Sequence, residues 1–241
     1  MKRWRRIVDF GNGCGEVEEY YSTRRGNKKS ARGKNRKSTD IDQLILNERY
    51  AEDKLRWLIN TNFRQGDMHI ALTYRKNERP EFEESIKRVN GFLRTLRSHY
   101  KKIAQPCKYI WSTELSKRGV IHHHFVIEYI DLKTLSGMWK WGKVWVNGLL
   151  DNTGEYGGLA NYIIKQNRRA FDTPTFPVKK RWNASKNLKQ PEIRYKRMKG
   201  KAWRNLPQDT KKYRIVSGTL KDGIHGLFGT PWRHYQIKFI E

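Results

Sequence analysis

The chain of 241 residues has room for one domain of about 150 residues with extensions, and for a substantial core. Its 51 Lys and Arg against 24 Asp and Glu leave a net charge of +27, more than solubility requires, and such a surface attracts polyanions, of which nucleic acid is the commonest. No apolar run approaches the roughly 20 residues needed to span a bilayer, Met1-Lys2-Arg3-Trp4-Arg5-Arg6 lacks the apolar stretch of a secretory signal, and the isolated Cys14 and Cys107 exclude a disulfide framework or a cysteine-type zinc site. The expectation is a cytoplasmic protein that binds nucleic acid and no membrane.

Residues 1–60 read as a basic N-terminal extension. A short strand is expected over 6–10 before Gly11, Gly13 and Gly15 interrupt it. Residues 24–38 are almost entirely Arg, Lys, Gly, Ser and Asn, too polar to fold alone, and suit either a nucleic-acid-binding arm or a solvated linker. Helical periodicity returns over 40–60 through Leu44, Tyr50, Leu55, Leu58 and Ile59, with Asp40 as N-cap.

Residues 61–170 carry a regular alternation. A strand is expected over 67–74, and after Pro80 an amphipathic helix over 81–100 places Phe82, Ile86, Val89, Phe92, Leu93 and Leu96 at i, i+3, i+4 spacing. Strands at 108–115 and 120–127 follow, then a helix over 131–141 and a strand at 144–146. A glycine-rich turn (Gly154, Gly157, Gly158) leads to a last helix over 159–168. This order predicts an α+β fold, a ferredoxin-like (RRM-like) antiparallel sheet with helices on one face and the other face free for a ligand. Residues 171–241 form a basic, aromatic-rich C-terminal extension, with strands expected at 213–217 and 234–240. Arg181-Trp182-Asn183 and residues 194–204 suit a DNA groove, or a small subdomain with tryptophans in its core.

The strand Val120-Ile121-His122-His123-His124-Phe125-Val126-Ile127 holds three of the seven histidines. Alternate side chains share a face, so His122 and His124 lie together, about 7 Å apart along the backbone, and His123 lies opposite. Two such imidazoles can converge on a divalent metal, or can be ordinary hydrogen-bonded histidines of a half-buried strand. A three-residue loop Lys117-Arg118-Gly119, with glycine left-handed, would pair Ser116 with Val120 and set Glu114 directly opposite His122. Glu114 then joins the imidazoles, or is an exposed acid at a hairpin end. On the last helix Tyr162 and Lys165 lie three residues apart and share a face. That spacing is common on amphipathic helices.

Taken together, the strand Ile70-Ala71-Leu72-Thr73-Tyr74, the segment Gly119-Val120-Ile121-His122-His123-His124 preceded by Glu114, and Tyr162-Ile163-Ile164-Lys165 resemble, in order and spacing, the three motifs of the HUH endonucleases. The nearest type is the single-tyrosine rolling-circle replication initiator of bacteriophages and plasmids. His123 departs from the family, which usually has a hydrophobe there. The resemblance covers roughly residues 60–170. It implies Tyr162 as nucleophile with Lys165 beside it, and Glu114, His122 and His124 as ligands of Mg²⁺ or Mn²⁺. It also implies nicking and rejoining of single-stranded DNA through a 5′-phosphotyrosine that leaves a 3′-hydroxyl primer. Thr73, Arg118, Gln166, Arg168, Arg169, Lys180, Arg181 and Trp182 are further candidates for touching DNA. Origin DNA, a host helicase and a host polymerase are the implied partners. Gly137-Met138-Trp139-Lys140-Trp141-Gly142-Lys143 imitates a phosphate-binding loop, but Val144 stands where a hydroxyl must reach Mg²⁺, so no helicase motor is expected.

Other readings use the same residues. A transposase or relaxase would share the metal and tyrosine. A cupin-like metalloenzyme would add Glu128, which on a straight strand lies about 13 Å from His124. A non-catalytic nucleic-acid-binding protein would leave the histidines structural. Tyr156 lies among glycines, away from Tyr162's helical face, and is not expected to be a second nucleophile.

Overall fold

The computed structural model describes residues 1–22, 41–149, 156–173, 176, 178, 180–199, 206–226 and 228–240. The basic stretch at 24–38, the Asp40 cap, Gly154 and the basic residues 200–204 of the tail lie outside them. In chain order the elements are β1 (Lys2–Asp9), β2 (Cys14–Ser22), α1 (Ile41–Asn62), β3 (Met68–Leu72), α2 (Phe82–Lys102), β4 (Tyr109–Leu115), β5 (Ile121–Ile127), α3 (Leu132–Gly137) and β6 (Val144–Gly148). They continue with α4 (Gly157–Asp172), β7 (Asn183–Ala184), β8 (Glu192–Arg197), β9 (Tyr213–Ile215), β10 (Lys221–Ile224) and β11 (Pro231–Phe239). No helix among the described residues is long and apolar enough to cross a membrane. The chain divides into two compact units, Glu48–Lys189 and Met1–Asn47 with Gln190–Glu241.

The unit Glu48–Lys189 is built on an antiparallel sheet ordered β6-β3-β5-β4-β7. Its first four strands, counted along the chain, lie in the spatial order 4-1-3-2 and are separated by helices, an α+β arrangement compatible with a ferredoxin-like fold. Parity then sorts the side chains. Met68, Ile70, Leu72, Tyr109, Ile121, Phe125 and Ile127 face one core, against Val89, Phe92, Leu93, Leu96 and Tyr100 of α2 and Leu135 and Trp139 of the α3 region. Acidic Glu83 and Glu84 at the start of α2, and basic Lys101 and Lys102 at its end, complement the helix dipole. Asp131 caps α3 by accepting a 2.9 Å hydrogen bond from the Thr134 backbone.

The expectation of helices on one face is corrected here. Ile110 and Val126 point to the opposite face and are buried against Leu55, Leu58 and Ile59 of α1 and Ala160, Ile163 and Ile164 of α4. Both faces of the sheet therefore carry helices, because both parities of β4 and β5 are apolar at their Ile110 and Val126 end. The face is polar only toward the hairpin, where Glu114, His122 and His124 stand. The helix expected over 131–141 ends at Gly137 instead, since Trp139 turns inward to be 2 % exposed and donates its indole N–H to the Thr73 carbonyl at 2.7 Å.

The two ends of the chain, read from sequence as separate extensions, form one sheet ordered β10-β11-β2-β1-β8, with β9 also pairing with β11. Its core is Val17, Tyr213, Tyr235 and Ile237, joined by Ile7, Ile215, Leu220 and Phe239. Buried Glu19 is held by Arg5, whose Nε donates to Oε1 at 2.7 Å, with Arg3 at 3.7 Å. The β1–β2 turn uses Gly11 and Gly13 at positive φ, and Asp9 accepts the Gly11 N–H at 2.8 Å. Residues 171–189 belong to the other unit, where β7 adds a fifth strand beside β4.

A Cβ at Gly142 would overlap the Thr73 carbonyl, whereas one at Gly137 would meet nothing within 4 Å. Gly142→Ala should therefore destabilise by about 1–3 kcal/mol through overpacking, while Gly137→Ala should stay within about 0.5 kcal/mol of wild type. Thermal unfolding of the two variants side by side checks this.

Candidate active site

The site begins with a turn. Ser116 donates its backbone N–H to the Val120 carbonyl at 2.9 Å, and Gly119 donates to Ser116 at 3.1 Å with φ at +70°, a conformation costly for any residue with a Cβ. The resulting register pairs Glu114 with His122 and Ser112 with His124, as the three-residue loop predicts. Glu114 Oε2 lies 2.8 Å from His124 Nε2 and 3.5 Å from His122 Nδ1.

A third imidazole joins them. β3 pairs with β5 so that Ala71 faces His124, which places His69 on the same face and one diagonal away. His69 Nε2 lies 3.3 Å from His124 Nδ1, and the two rings stack with centroids 5.5 Å apart. Both nitrogens of His124 are thus engaged, and a partner on Nδ1 fixes which edge of the ring faces Glu114. Sequence reading passed over His69. Its signal was present in the strand parity, but needed the knowledge that β3 lies beside β5.

Tyr162 comes from α4. Its ring stands edge-on to His69 and His124 at centroid distances of 5.7 and 5.5 Å, and it remains 41 % exposed. Two buried asparagines hold the helix there. Asn167 donates to the Thr113 carbonyl at 2.8 Å, beside Glu114, and Asn60 of α1 accepts the Tyr156 N–H at 3.0 Å at the start of α4. Tyr156 itself is buried in the α1–α4 core, and only Tyr162 reaches the histidines. Lys165 is exposed on the same helix, one turn beyond Tyr162.

Electrostatics follow from burial and these contacts. Burial disfavours the Glu114 carboxylate, but hydrogen bonds from His122 and His124, and their charge, outweigh it and take the carboxyl down to about 2. Burial, then the neighbouring His124, lowers His69 to about 4, so it is neutral at pH 7. Burial, and then the negative charge of Glu114, raise Tyr162 above an ordinary phenol. His123 belongs to the opposite core: it is fully buried, its two ring nitrogens lie 3.1 Å from the Tyr74 hydroxyl and 3.2 Å from Thr113 Oγ1, and burial lowers it to about 3. A neutral ring satisfies both contacts, one nitrogen donating and one accepting.

One carboxylate and two imidazoles at one point are a donor set that suits a divalent cation. Among the described residues, no group of three His, Cys, Asp or Glu is already arranged around a common centre, since the carboxylate hydrogen-bonds directly to the ring. The separations of 2.8 and 3.5 Å nevertheless bracket the roughly 3 Å between adjacent ligands of a cation with bonds of about 2.1 Å. A small opening of these contacts and loss of the His124 Nε2 proton would suffice. By this test the residues fit.

The remaining candidates divide by environment. Thr73 is tied to Lys143, its Oγ1 donating to the carbonyl at 3.0 Å and accepting the N–H at 3.2 Å. Arg118, Arg169 and Lys180 are exposed and Gln166 is half-buried. Arg168 is exposed but bonded to Glu48 of α1. Arg181 and Trp182, read as part of a DNA groove, are engaged inside the unit. Arg181 is paired with Glu48 at 3.4 Å and packs over Phe171, while Trp182 donates to the Ala51 carbonyl at 3.2 Å. Their neighbours Leu188 and Ala184 belong to the core as well.

Residues 67–167 match the family model of the replication-associated protein of the ORF2 type. That span holds Glu114, His122, His124, Tyr162 and Lys165, and it is consistent with a replication initiator. No curated protein and no solved structure matches the chain.

His69 and His123 are neutral when folded and take up protons near 6.5 when unfolded, so the unfolded chain binds more protons as pH falls from about 6.5 towards 4 and 3. Stability should be full above pH 6.5 and decline through that window, by up to about 1.4 kcal/mol per pH unit per proton. Urea titrations at stepped pH in EDTA check this, with His123→Leu flattening the slope by about one proton.

Proposed function

We propose that the protein is an HUH-type replication initiator that nicks and rejoins single-stranded DNA through Tyr162. The observation that carries this reading is the Tyr162 ring packed edge-on against His69 and His124, beside a carboxylate and imidazole donor set, within the span that matches a replication-associated family.

In this reading the phenol oxygen of Tyr162 attacks a phosphodiester in line. The new O–P bond forms as the bond to the 3′-oxygen breaks; the phenolic proton passes to solvent or a base, and the departing oxygen is protonated to a 3′-hydroxyl. The product is a 5′-phosphotyrosine and a primer end that a host polymerase extends, with a host helicase opening the duplex at the origin. Because the phosphotyrosine conserves the bond, attack by a 3′-hydroxyl reverses the step and rejoins strands. Glu114, His122 and His124 would hold Mg²⁺ or Mn²⁺, whose charge neutralises a non-bridging oxygen and offsets the Glu114 field that disfavours the phenolate. His69 holds the His124 ring in orientation. Lys165 lies one turn from the nucleophile, where its charge can stabilise the charge developing on the phosphate.

Single-stranded DNA carrying the replicon's origin, labelled at either end and incubated with Mn²⁺, should give a covalent adduct on the 3′ fragment. The adduct should vanish in Tyr162→Phe. An adduct that persists in Tyr162→Phe moves the nucleophile elsewhere, and tight binding without any adduct rejects the enzyme.

Metal binding has its own readout. Mn²⁺ at a hundredfold excess over its dissociation constant should stabilise the fold by about 2.7 kcal/mol, a thermal shift of roughly 5–10 °C for a chain of this size. Glu114→Gln combined with His124→Ala should abolish the shift.

A further inference from the structure

We propose that Trp145 and Lys143 form a stacking platform for an unpaired base that flanks the phosphate attacked by Tyr162; this deepens the nicking reading and rests on it. The register places the platform. Ala71 of β3 pairs with His124 on one side and with Trp145 of β6 on the other, so His124 and Trp145 share a face and a row. Two strand spacings, about 10 Å, separate them. A strand entering the site along this face passes over Trp145.

The ring is presented and not packed away. Trp145 is 59 % exposed, whereas Trp57 and Trp139 are 7 % and 2 % exposed. β6 is the edge strand of the sheet, so no further strand covers this row. Lys143, two residues earlier on the same face, holds its Nζ over the indole at 5.9 Å from the ring centroid. An open hollow of about 430 Å³ lies against both, bordered also by Ser136, Gly142 and Val144. That is ample for a planar base.

The platform is also fixed in place. Thr73 donates its backbone N–H to the Lys143 carbonyl at 3.0 Å, and the Lys143 N–H returns to Thr73 Oγ1 at 3.2 Å. Thr73 directly extends β3, the strand that carries His69. An exposed indole next to an ammonium, held rigidly, is the pairing that binds unpaired nucleotides, ring on base and cation on phosphate. A base pair inside a duplex offers no free face to it, so the occupant is single-stranded.

The test compares wild type, Trp145→Ala, Trp145→Phe and Lys143→Ala for binding of oligodeoxythymidine and of an abasic tract of equal length, in EDTA and across a salt series. Trp145→Ala should weaken oligodeoxythymidine binding roughly 5- to 150-fold, leave binding of the abasic tract unchanged, and keep the salt slope of wild type. Trp145→Phe should recover most of the loss. Lys143→Ala should reduce the slope by about 0.7, one phosphate contact on a single strand. Equal binding of oligodeoxythymidine by Trp145→Ala and wild type overturns the platform. So does a loss that falls equally on the abasic tract, or one that Phe does not recover, since both mark a structural role. If the wild type still forms its Tyr162 adduct in either case, the nicking reading stands alone. Absence of both binding and adduct in the wild type overturns that reading and the platform with it.

Discussion

The antiparallel pairing of β4 with β5 is the constraint on which the site depends. Gly119 at positive φ closes a three-residue loop, and that loop sets which residues stand opposite one another. A slip of one residue would send Glu114 to the opposite face from His122 and His124, and would bring His123 out of its hydrogen bonds with Tyr74 and Thr113. The register is secured from both sides of the sheet. Phe125 and Ile127 fill one core while Val126 fills the other, so a slip would bury the polar set and expose the apolar one.

Around this hairpin the remaining elements act by delivering one group each. β3 brings His69 against His124, and its partner β6 carries Trp145 to the end of the same row. α4 brings Tyr162, and it can do so because its apolar face (Ala160, Ile163, Ile164) docks on the Ile110 and Val126 end of the sheet while Asn167 bonds to the backbone of β4. A helix is a rigid carrier, so anchoring its start at Asn60 and its later turn at Thr113 leaves Tyr162 little freedom. The helices on this face frame the polar corner of the sheet and do not cover it.

Charge has two uses in this chain. Part of the basic surplus is spent on folding, as Arg5 on Glu19 and Arg168 and Arg181 on Glu48 illustrate. The larger part remains as surface, and at +27 it favours a polyanionic partner. At the site the balance reverses locally. Burial and Glu114 hold Tyr162 in its neutral form, so any use of this phenol as a nucleophile needs added positive charge near the carboxylate.

By itself the sequence determined what depends on neighbours along the chain. The parity that separates His122 and His124 from His123, the loop that sets Glu114 opposite His122, the apolar stripe of α2 and the alternation of strands and helices are all local, because 2.0 and 3.6 residue periods and a glycine turn are local properties. Only the tertiary structure decided what depends on strand order and on pairing between distant segments. His69 joins the imidazoles, and Trp145 their row, because β3 lies between β5 and β6. Arg181 and Trp182 are drawn into contact with α1 by ion pairing and burial that no spacing rule announces. The two ends of the chain form one sheet through β2 and β11, more than 200 residues apart, because backbone hydrogen bonding constrains geometry and not sequence separation.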